Sequence, residues 1–412
     1  MSRLQNEGDE NRLPTTRSGG GLAGWLIRFG RVRRLCPAFI KRLGWRFVDP
    51  EKWYEENSRA SDPYPDIGLQ SDYPPRVDAM FGIAISNGNH HKKFAAACRD
   101  LGVPYRFVDI TSSEWLDNVR AFPLDMLLVW PSVHLTVAKR MFDERLRIIN
   151  EELGIPVYPS LKALWLYESK YRMTYWLAAR DVPQPYTRVF FRLAEAMDYA
   201  DKVDLPIVTK TDLGSGSAGV RVFRDRQTLR KYVRRSFRSG SRVRMGDPRD
   251  RQWGSVLFQE YIPDAREWRM IRIGNSFFGY EKIRVGDFHS GSHKFSFSRP
   301  PDDLLDLIER VTDIGGFSSM DLDIFVAKDG RALVSEMQTV FGMGSPWEMC
   351  VVDGEPGRMI RAAGADKWVF EAGSFCDHWM CTLRMQAALE QLGKPPALSQ
   401  DRAGQGMIRD CR

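Results

Sequence analysis

Lys210 closes an apolar run, LPIVTK, and Gly214, Ser215, Gly216, Ser217 and Gly219 follow before a second apolar run, VRVF, begins. Glycines carry no Cβ, so their backbone N–H groups can come close to anionic oxygens, and a neighbouring lysine adds charge. The set suits a nucleotide phosphate; a solvent hairpin with a surface lysine would fit this stretch alone as well. The glycines satisfy G-x-G-x-x-G, but that spacing marks a dinucleotide site only where the loop opens a helix. Val220 to Phe223 read as strand, so a glycine-rich hairpin is expected. Walker and protein-kinase sequences are absent.

A second set lies in MDLDIFVAKDGRALVSEMQTVFG, Met320 to Gly342. Two strands joined at Lys328-Asp329-Gly330 would bring Asp323 opposite Glu336, with Gln338 on the same face as Glu336 because strand side chains alternate. Hard oxygen donors with room for phosphate oxygens suit magnesium; Asp321 is the alternative ligand if the register differs by two. A further cation, Lys170, opens a helix predicted from the spacing of Tyr171, Met173, Trp176 and Leu177. The helix dipole disfavours a base there, which points to a partner outside the helix, such as a phosphate.

The elements that must hold these groups are spread over 412 residues, enough for two or three domains. Net charge is +7, and its clustering brings polyanions and membrane surfaces into consideration. Six cysteines show no C-x-x-C pair, so reduced thiols with no disulfide or zinc site, and a cytoplasmic location, are expected. No apolar run is long enough to span a membrane, and the first residues do not resemble a signal peptide. Residues 1–21 read as a disordered tail. Residues 22–76 read as a basic amphipathic segment and a linker: Trp25, Phe29, Phe39 and Trp45 alternate with arginine and lysine up to Phe47, a composition that suits an anionic membrane surface or packing on the protein itself.

From 77 to 160, strands and helices alternate, which predicts a parallel sheet with flanking helices. Asn87, Asn89, His90 and His91 would lie at the carboxyl ends of its strands, where such sheets present a ligand crevice. Residues 161–254 hold the lysines and the glycine loop, 255–350 the metal set, and 351–412 a C-terminal helix over Trp368 to Leu392 followed by a tail. Arg224 to Arg251 is strongly basic and could collect an anionic acceptor. It carries no nucleic-acid-binding pattern, and nucleic acid is not the expected partner.

The lysine opening a helix, the V-P-x-P exit at Val182 to Pro185 and the lysine with its glycine hairpin together resemble the ATP-grasp superfamily, and within it the RimK-like amino-acid ligases. The resemblance covers about Ala79 to Gly342. It implies an α/β protein with an ATP-grasp fold, two α+β lobes clasping ATP, preceded by a small parallel-sheet pre-ATP-grasp domain. On the family pattern Lys170, Lys210 and the glycine loop hold phosphate, while VLFQEYI supplies Glu260, Tyr261 and Ile262 to the adenine. Glu267 takes the ribose hydroxyls, and Arg269 completes its segment. YEKIRVGDFHSGSHK resembles the block ending in G-D-F-R-S-N, with His289 at the family's arginine, Ser290 at its serine and Gly291 at its asparagine; Lys282, Arg284 and Lys294 are candidates for the displaced charge. Asp323, Glu336 and Gln338 hold magnesium, or manganese in its place, although the family has asparagine at the third position.

The implied reaction joins a carboxylate to an amine through an acylphosphate, on small-molecule or polymer-linked substrates. A kinase of the same fold, or an ATP-binding protein that has lost catalysis, are the alternatives.

Overall fold

Short strands of two to four residues separated by helices open the folded part of the chain, as the alternation requires. In the computed structural model, residues 62, 64–214, 219–243, 249–284, 294–362 and 367–394 are described. The expected tail at 1–21 and the basic segment at 22–47 fall outside them.

The first sheet consists of β1 (Phe81–Ala84), β2 (Tyr105–Val108), β3 (Met126–Leu128) and β4 (Val157–Tyr158), all parallel and ordered β2-β1-β3-β4. β1 is buried throughout, as a central parallel strand must be. α1 (His90–Leu101), α2 (Trp115–Arg120) and α3 (Thr136–Arg147) make the connections. α1 starts at His90, after Asn89 turns left-handed (φ 59), and Gly102 (φ 68) ends it by donating to the Cys98 and Arg99 carbonyls. The described part of the expected linker is not free chain: Tyr64 and Ile67 are buried with Phe94, and Leu69 and Ser71 hydrogen-bond along the edge of β2.

α4 (Leu161–Leu166) and α5 (Lys170–Ala179) lead into a second, antiparallel sheet. Its strands are β5 (Thr187–Phe190), β6 (Ile207–Lys210), β7 (Arg221–Phe223) and β10 (Val256–Glu260), ordered β5-β10-β6-β7. α6 (Leu193–Lys202) and α7 (Arg226–Arg238) cover one face through Ala196, Ala200, Leu229 and Val233. A two-stranded ribbon, β8 (Ser241–Arg242) with β9 (Arg251–Gln252), precedes β10. β10 therefore belongs to the sheet of the glycine hairpin, although it stands after residue 254 in sequence.

The third sheet has eight strands. β15 (Ala332–Gln338), β14 (Ser319–Val326), β11 (Arg266–Ile273), β12 (Ser276–Lys282), β17 (Glu355–Arg361) and β16 (Cys350–Val352) follow in that order, with β13 (Phe295–Ser296) on β12 and β18 (Trp368–Ala372) on β17. α8 (Asp302–Gly315) packs Leu304, Leu305, Ile308 and Val311 against Trp268, Met270, Leu322 and Ile324. Burying each such side chain contributes about 1.5–3 kcal/mol. Alternation then sends Glu267, Arg269, Asp321 and Asp323 to the opposite face.

The expected C-terminal helix over Trp368 to Leu392 is shorter: β18 occupies its start, and α9 (Asp377–Gln391) follows. The large residues of WVFEA alternate along an edge strand there rather than lining a helix. α9 packs on α1, with Met385 and Leu389 in the core of the first sheet. Cys98, Cys350 and Cys381 are free thiols, whereas Cys376 is disulfide-bonded, against the expectation of no disulfide. Among the described residues no helix is long and apolar enough to cross a membrane.

Candidate nucleotide and metal site

The polar face of the third sheet is built by register. Tyr280, Arg269, Asp323 and Glu336 are paired in one row across β12, β11, β14 and β15, and Asp321 pairs with Gln338 in the next. The expected hairpin is therefore present, with a shift in register after Asp323. The Arg269 guanidinium donates to both oxygens of Asp323, at 2.8 and 2.9 Å. The Lys282 ammonium reaches the same carboxylate at 2.5 Å and donates to Glu267 at 2.7 Å. Burial works against a charged Asp323, but Arg269 and Lys282 outweigh it and hold the carboxyl well below the usual range.

Across from this face stand the two lysines. Lys170 opens α5, where Ser169 caps the helix by accepting from the Arg172 amide. Its ammonium donates to the Gly214 carbonyl at 2.5 Å and lies 3.4 Å from Glu336 Oε1. Lys210 ends β6 opposite Leu257 and is buried. Burial pushes its ammonium below the ordinary lysine value, opposed by Glu336 and reinforced by Lys170.

Thr211 donates its amide to Gly219 and so closes the hairpin of β6 and β7. A Cβ at Gly219 would lie 1.8 Å from Thr211 Oγ1, so only glycine fits. Ser215, Gly216 and Ser217 lie outside the described residues, as do His289, Ser290 and Gly291.

The remaining sequence candidates divide. Glu260 ends β10 and is tied back, its carboxylate accepting from the Tyr186 amide at 3.1 Å; Tyr261 and Ile262 follow it, half-buried. Arg284 does not join the charged face. It donates to the Tyr261 hydroxyl at 3.0 Å and to Asp264, because it stands beyond the end of β12. Asn87, His90 and His91 do sit at the carboxyl end of the first sheet, where His91 Nδ1 lies 3.0 Å from the Ser86 carbonyl and His90 stacks on Trp130.

Sequence reasoning missed Asp212. Its carboxylate accepts from the Ser169 hydroxyl at 2.7 Å and the Tyr171 amide at 2.9 Å, fixing the start of α5 and thereby Lys170. A serine directly before Lys170 was the available sign of a cap, but nothing local pointed to its distant partner.

Magnesium can be tested against the donors. Gln338 Oε1 and both oxygens of Asp321 are buried without a hydrogen-bond donor among the described residues, and Glu336 points to the same face. Orphaned hard oxygens of this kind fit a magnesium ion. Among the described residues no group of three or more His, Cys, Asp or Glu is placed to hold a metal ion by itself, so a magnesium here would depend on the Gln338 amide oxygen and on the nucleotide as further ligands.

Burial, opposed by Arg269, raises the Asp321 carboxyl from 3.8 to about 7. The unfolded chain releases this proton first, so the group costs stability increasingly as pH rises from about 4 to about 7. Asp321→Asn is expected to flatten that part of the stability profile and to leave the melting temperature at neutral pH unchanged or higher. Thermal melts across this range check it, and a lower melting temperature at pH 7 would show that the charge supports the fold.

No protein-family model matches the chain. Over 195 residues it is 26% identical to the alpha-aminoadipate–LysW ligase LysX of Saccharolobus solfataricus, covering 46% of this chain and 68% of that protein. A RimK-domain ATP-grasp protein of Sphaerobacter thermophilus aligns at a TM-score of 0.46 and 18% identity, over 63% of this chain and 90% of that one. D-alanine–D-alanine ligase of Bacillus anthracis aligns at 0.43 and 16%, over 64% and 87%. The chain is thus similar to the ligase LysX over part of its length, and in its own structure a parallel sheet is followed by two antiparallel sheets, with paired lysines across from a carboxylate row.

Proposed function

We propose that this protein joins a carboxylate to an amine at the expense of ATP, with an amino acid as one reactant. The observation that carries the reading is the meeting of both lobes at Lys170, whose ammonium bonds the end of the glycine loop and faces Glu336. Phosphoryl transfer asks a protein mainly for positioning and charge neutralisation, and buried cations beside a carboxylate row supply both. The name of the relative LysX specifies α-aminoadipate and LysW, which supports an amino acid here.

In the proposed sequence the substrate carboxylate attacks the γ-phosphorus of ATP, the bond to the β-phosphate oxygen breaks, and ADP leaves. The amine then attacks the acyl carbon, phosphate departs with the bonding pair, and the amine loses a proton as the amide forms. Lys170 and Lys210 hold phosphate oxygens, Glu267 the ribose hydroxyls, and the backbone of Glu260 to Ile262 the base. Arg269 and Lys282 fix Asp323 in place. Glu336 and Gln338, together with Asp323 or with Asp321, whose oxygens accept no hydrogen bond among the described residues, would hold magnesium, or manganese, which when bound neutralises charge on the phosphates. The glycine loop covers the acylphosphate and keeps water from it.

The test is ADP release from the full-length protein with Mg-ATP, pooled amino acids and candidate acceptors. Release is expected only when acid and amine are both present. Release with a single alcohol acceptor would make it a kinase, and a nucleotide-induced thermal shift without turnover would leave a binding protein.

The basic segment at 22–47 is proposed to bring the enzyme to an anionic membrane surface, its lysines and arginines contributing about 1 kcal/mol each near such a surface. Flotation is expected with anionic but not neutral vesicles, to weaken in high salt and to be lost on deleting residues 1–47. Binding indifferent to lipid charge and salt would make the segment a structural one.

A further inference from the structure

Between the carboxyl end of the first sheet and the charged face of the third, α9 and α1 bring together two buried cations that the nucleotide site does not use. Arg384, on α9, is fully buried there. Its Nε donates to Ser319 Oγ at 3.1 Å and its Nη1 to the Trp379 carbonyl at 3.2 Å, the guanidinium also faces the Cys381 thiol, and Nη2 has no hydrogen-bond partner within 3.5 Å among the described residues. Lys93, on α1, is 5% exposed. Its ammonium sits 3.3 Å from the centre of the Trp379 ring and 5.4 Å from that of Trp130, and 3.2 Å from His90 Nδ1. The Arg384 guanidinium is 5.5 Å from the same Trp130 ring and 4.5 Å from Phe341.

Neither cation has a carboxylate within ion-pair distance among the described residues. A buried charge without a counter-ion is costly, and removing a partner from such a group ordinarily costs several kcal/mol. The neighbours do not supply one: burial pushes the Cys381 thiol up to about 11 and His90 down to about 4, so both are neutral at pH 7. Burial likewise lowers Lys93 to about 8.

The backbone beside the two cations is also constrained. His378, Trp379 and Met380 are all left-handed, at φ 51, 58 and 66, a conformation that non-glycine residues hold only where their surroundings enforce it. That turn aims the Trp379 carbonyl at Arg384 and lays its ring over Lys93. Gly342 makes room for it, since a Cβ there would come within 2.5 Å of the indole. Trp379 is 40% exposed, so this turn reaches the surface.

We propose that Arg384 and Lys93 bind the carboxylate of a small organic acid, with the aromatic walls enclosing its carbon chain. Arg384 suits this because its planar fork matches a carboxylate bidentately. Ser319, Asp321 and Asp323 share one face of β14, so the Ser319-bound guanidinium stands about 7 Å from the first acidic position and about 13 Å from the second along the strand. A ligand with its carboxylate at Arg384 and its other end on that face is an extended one, glutamate-sized or larger. Naming this ligand a reactant rests on the ligase reading; the carboxylate site itself does not.

Thermal melts of the full-length protein without nucleotide provide the test. Probes are the proteinogenic amino acids, glutarate and adipate at millimolar concentration, with inorganic phosphate and chloride for comparison. At least one of the carboxylates is expected to raise the melting temperature, and Arg384→Met to abolish that shift while melting no lower than the parent when ligand-free. Arg384→Lys should keep part of the shift. If Arg384→Met does not fold, Lys93→Met and calorimetric titration of the parent carry the same comparison.

Lys210→Ala should keep the carboxylate shift and lose the one caused by Mg-ATP, so failure of the nucleotide reading stays separate from failure of this one. No shift by any carboxylate, an equal shift by phosphate, or an unchanged shift in Arg384→Met each overturns the proposal.

Discussion

Replacing Lys210 by alanine is expected to remove the thermal shift caused by Mg-ATP and to lower ADP release by about a hundredfold or more, the scale seen when one preorganised electrostatic contact to a transition state is lost. The ligand-free protein should melt no lower than the parent. A surface lysine would have given the same insensitivity for a trivial reason, but Lys210 is buried at the end of β6. Its charge is disfavoured first by burial and then by Lys170, with Glu336 opposing. Deleting it removes a group the fold holds at a cost, while Lys170 still faces Glu336 and still bonds Gly214. Lys210→Met, which keeps the apolar stem, separates charge from packing and should behave like the alanine variant. Normal nucleotide affinity and normal turnover in both would mean that the glycine hairpin is not the phosphate site.

The hairpins were readable because their evidence is local. Alternation along MDLDIFV and ALVSEMQ is enough to place Asp323 opposite Glu336, and the strand after Gly219 is enough to reject a dinucleotide crossover; both appear as expected in the register. Contacts that join distant segments were not readable. Asp212 caps α5 across the lobe, and Arg384 reaches Ser319 from a helix beyond the reach of the family resemblance. Residue type alone misled at Arg284, since a basic residue two positions after Lys282 promises the same face only while the strand continues, and β12 ends at Lys282. Trp368 to Ala372 failed for a similar reason: five residues with apolar alternation fit a strand, and the helical reading borrowed its period from α9.

The charged face also explains why the acidic row needs its cations before any ligand arrives. Three buried acids, Glu267, Asp321 and Asp323, and the half-buried Glu336 would repel one another on adjacent strands. Arg269 and Lys282 on the sheet, with Lys170 and Lys210 across from it, balance them charge for charge. The cations hold the Asp323 and Glu336 carboxyls below their ordinary values and keep them oriented without metal, which is a condition under which a divalent ion can be taken up without rebuilding the site.

Glu336→Gln should therefore separate metal from nucleotide. The carboxylate accepts from Gln338 Nε2 at 2.8 Å and faces Lys170. Burial works against its charge, but Lys170 and Lys210 hold it below the usual glutamate value, so it is ionised at neutral pH. Glutamine keeps the shape and one acceptor oxygen and removes the charge, leaving Asp323, already held by Arg269 and Lys282, to bind the ion. Turnover at millimolar magnesium should fall by about a hundredfold or more, because the charge neutralisation on which phosphoryl transfer depends is lost. Nucleotide affinity measured in EDTA should be close to that of the parent, since the lysines that meet the phosphates remain. Thermal melts with ATP in EDTA and with ATP in magnesium distinguish the two effects: the parent gains a further shift from magnesium, and the variant should not. Equal turnover by variant and parent would remove Glu336 from the mechanism, and an equal magnesium shift would move the ion to Asp321 and Gln338 alone.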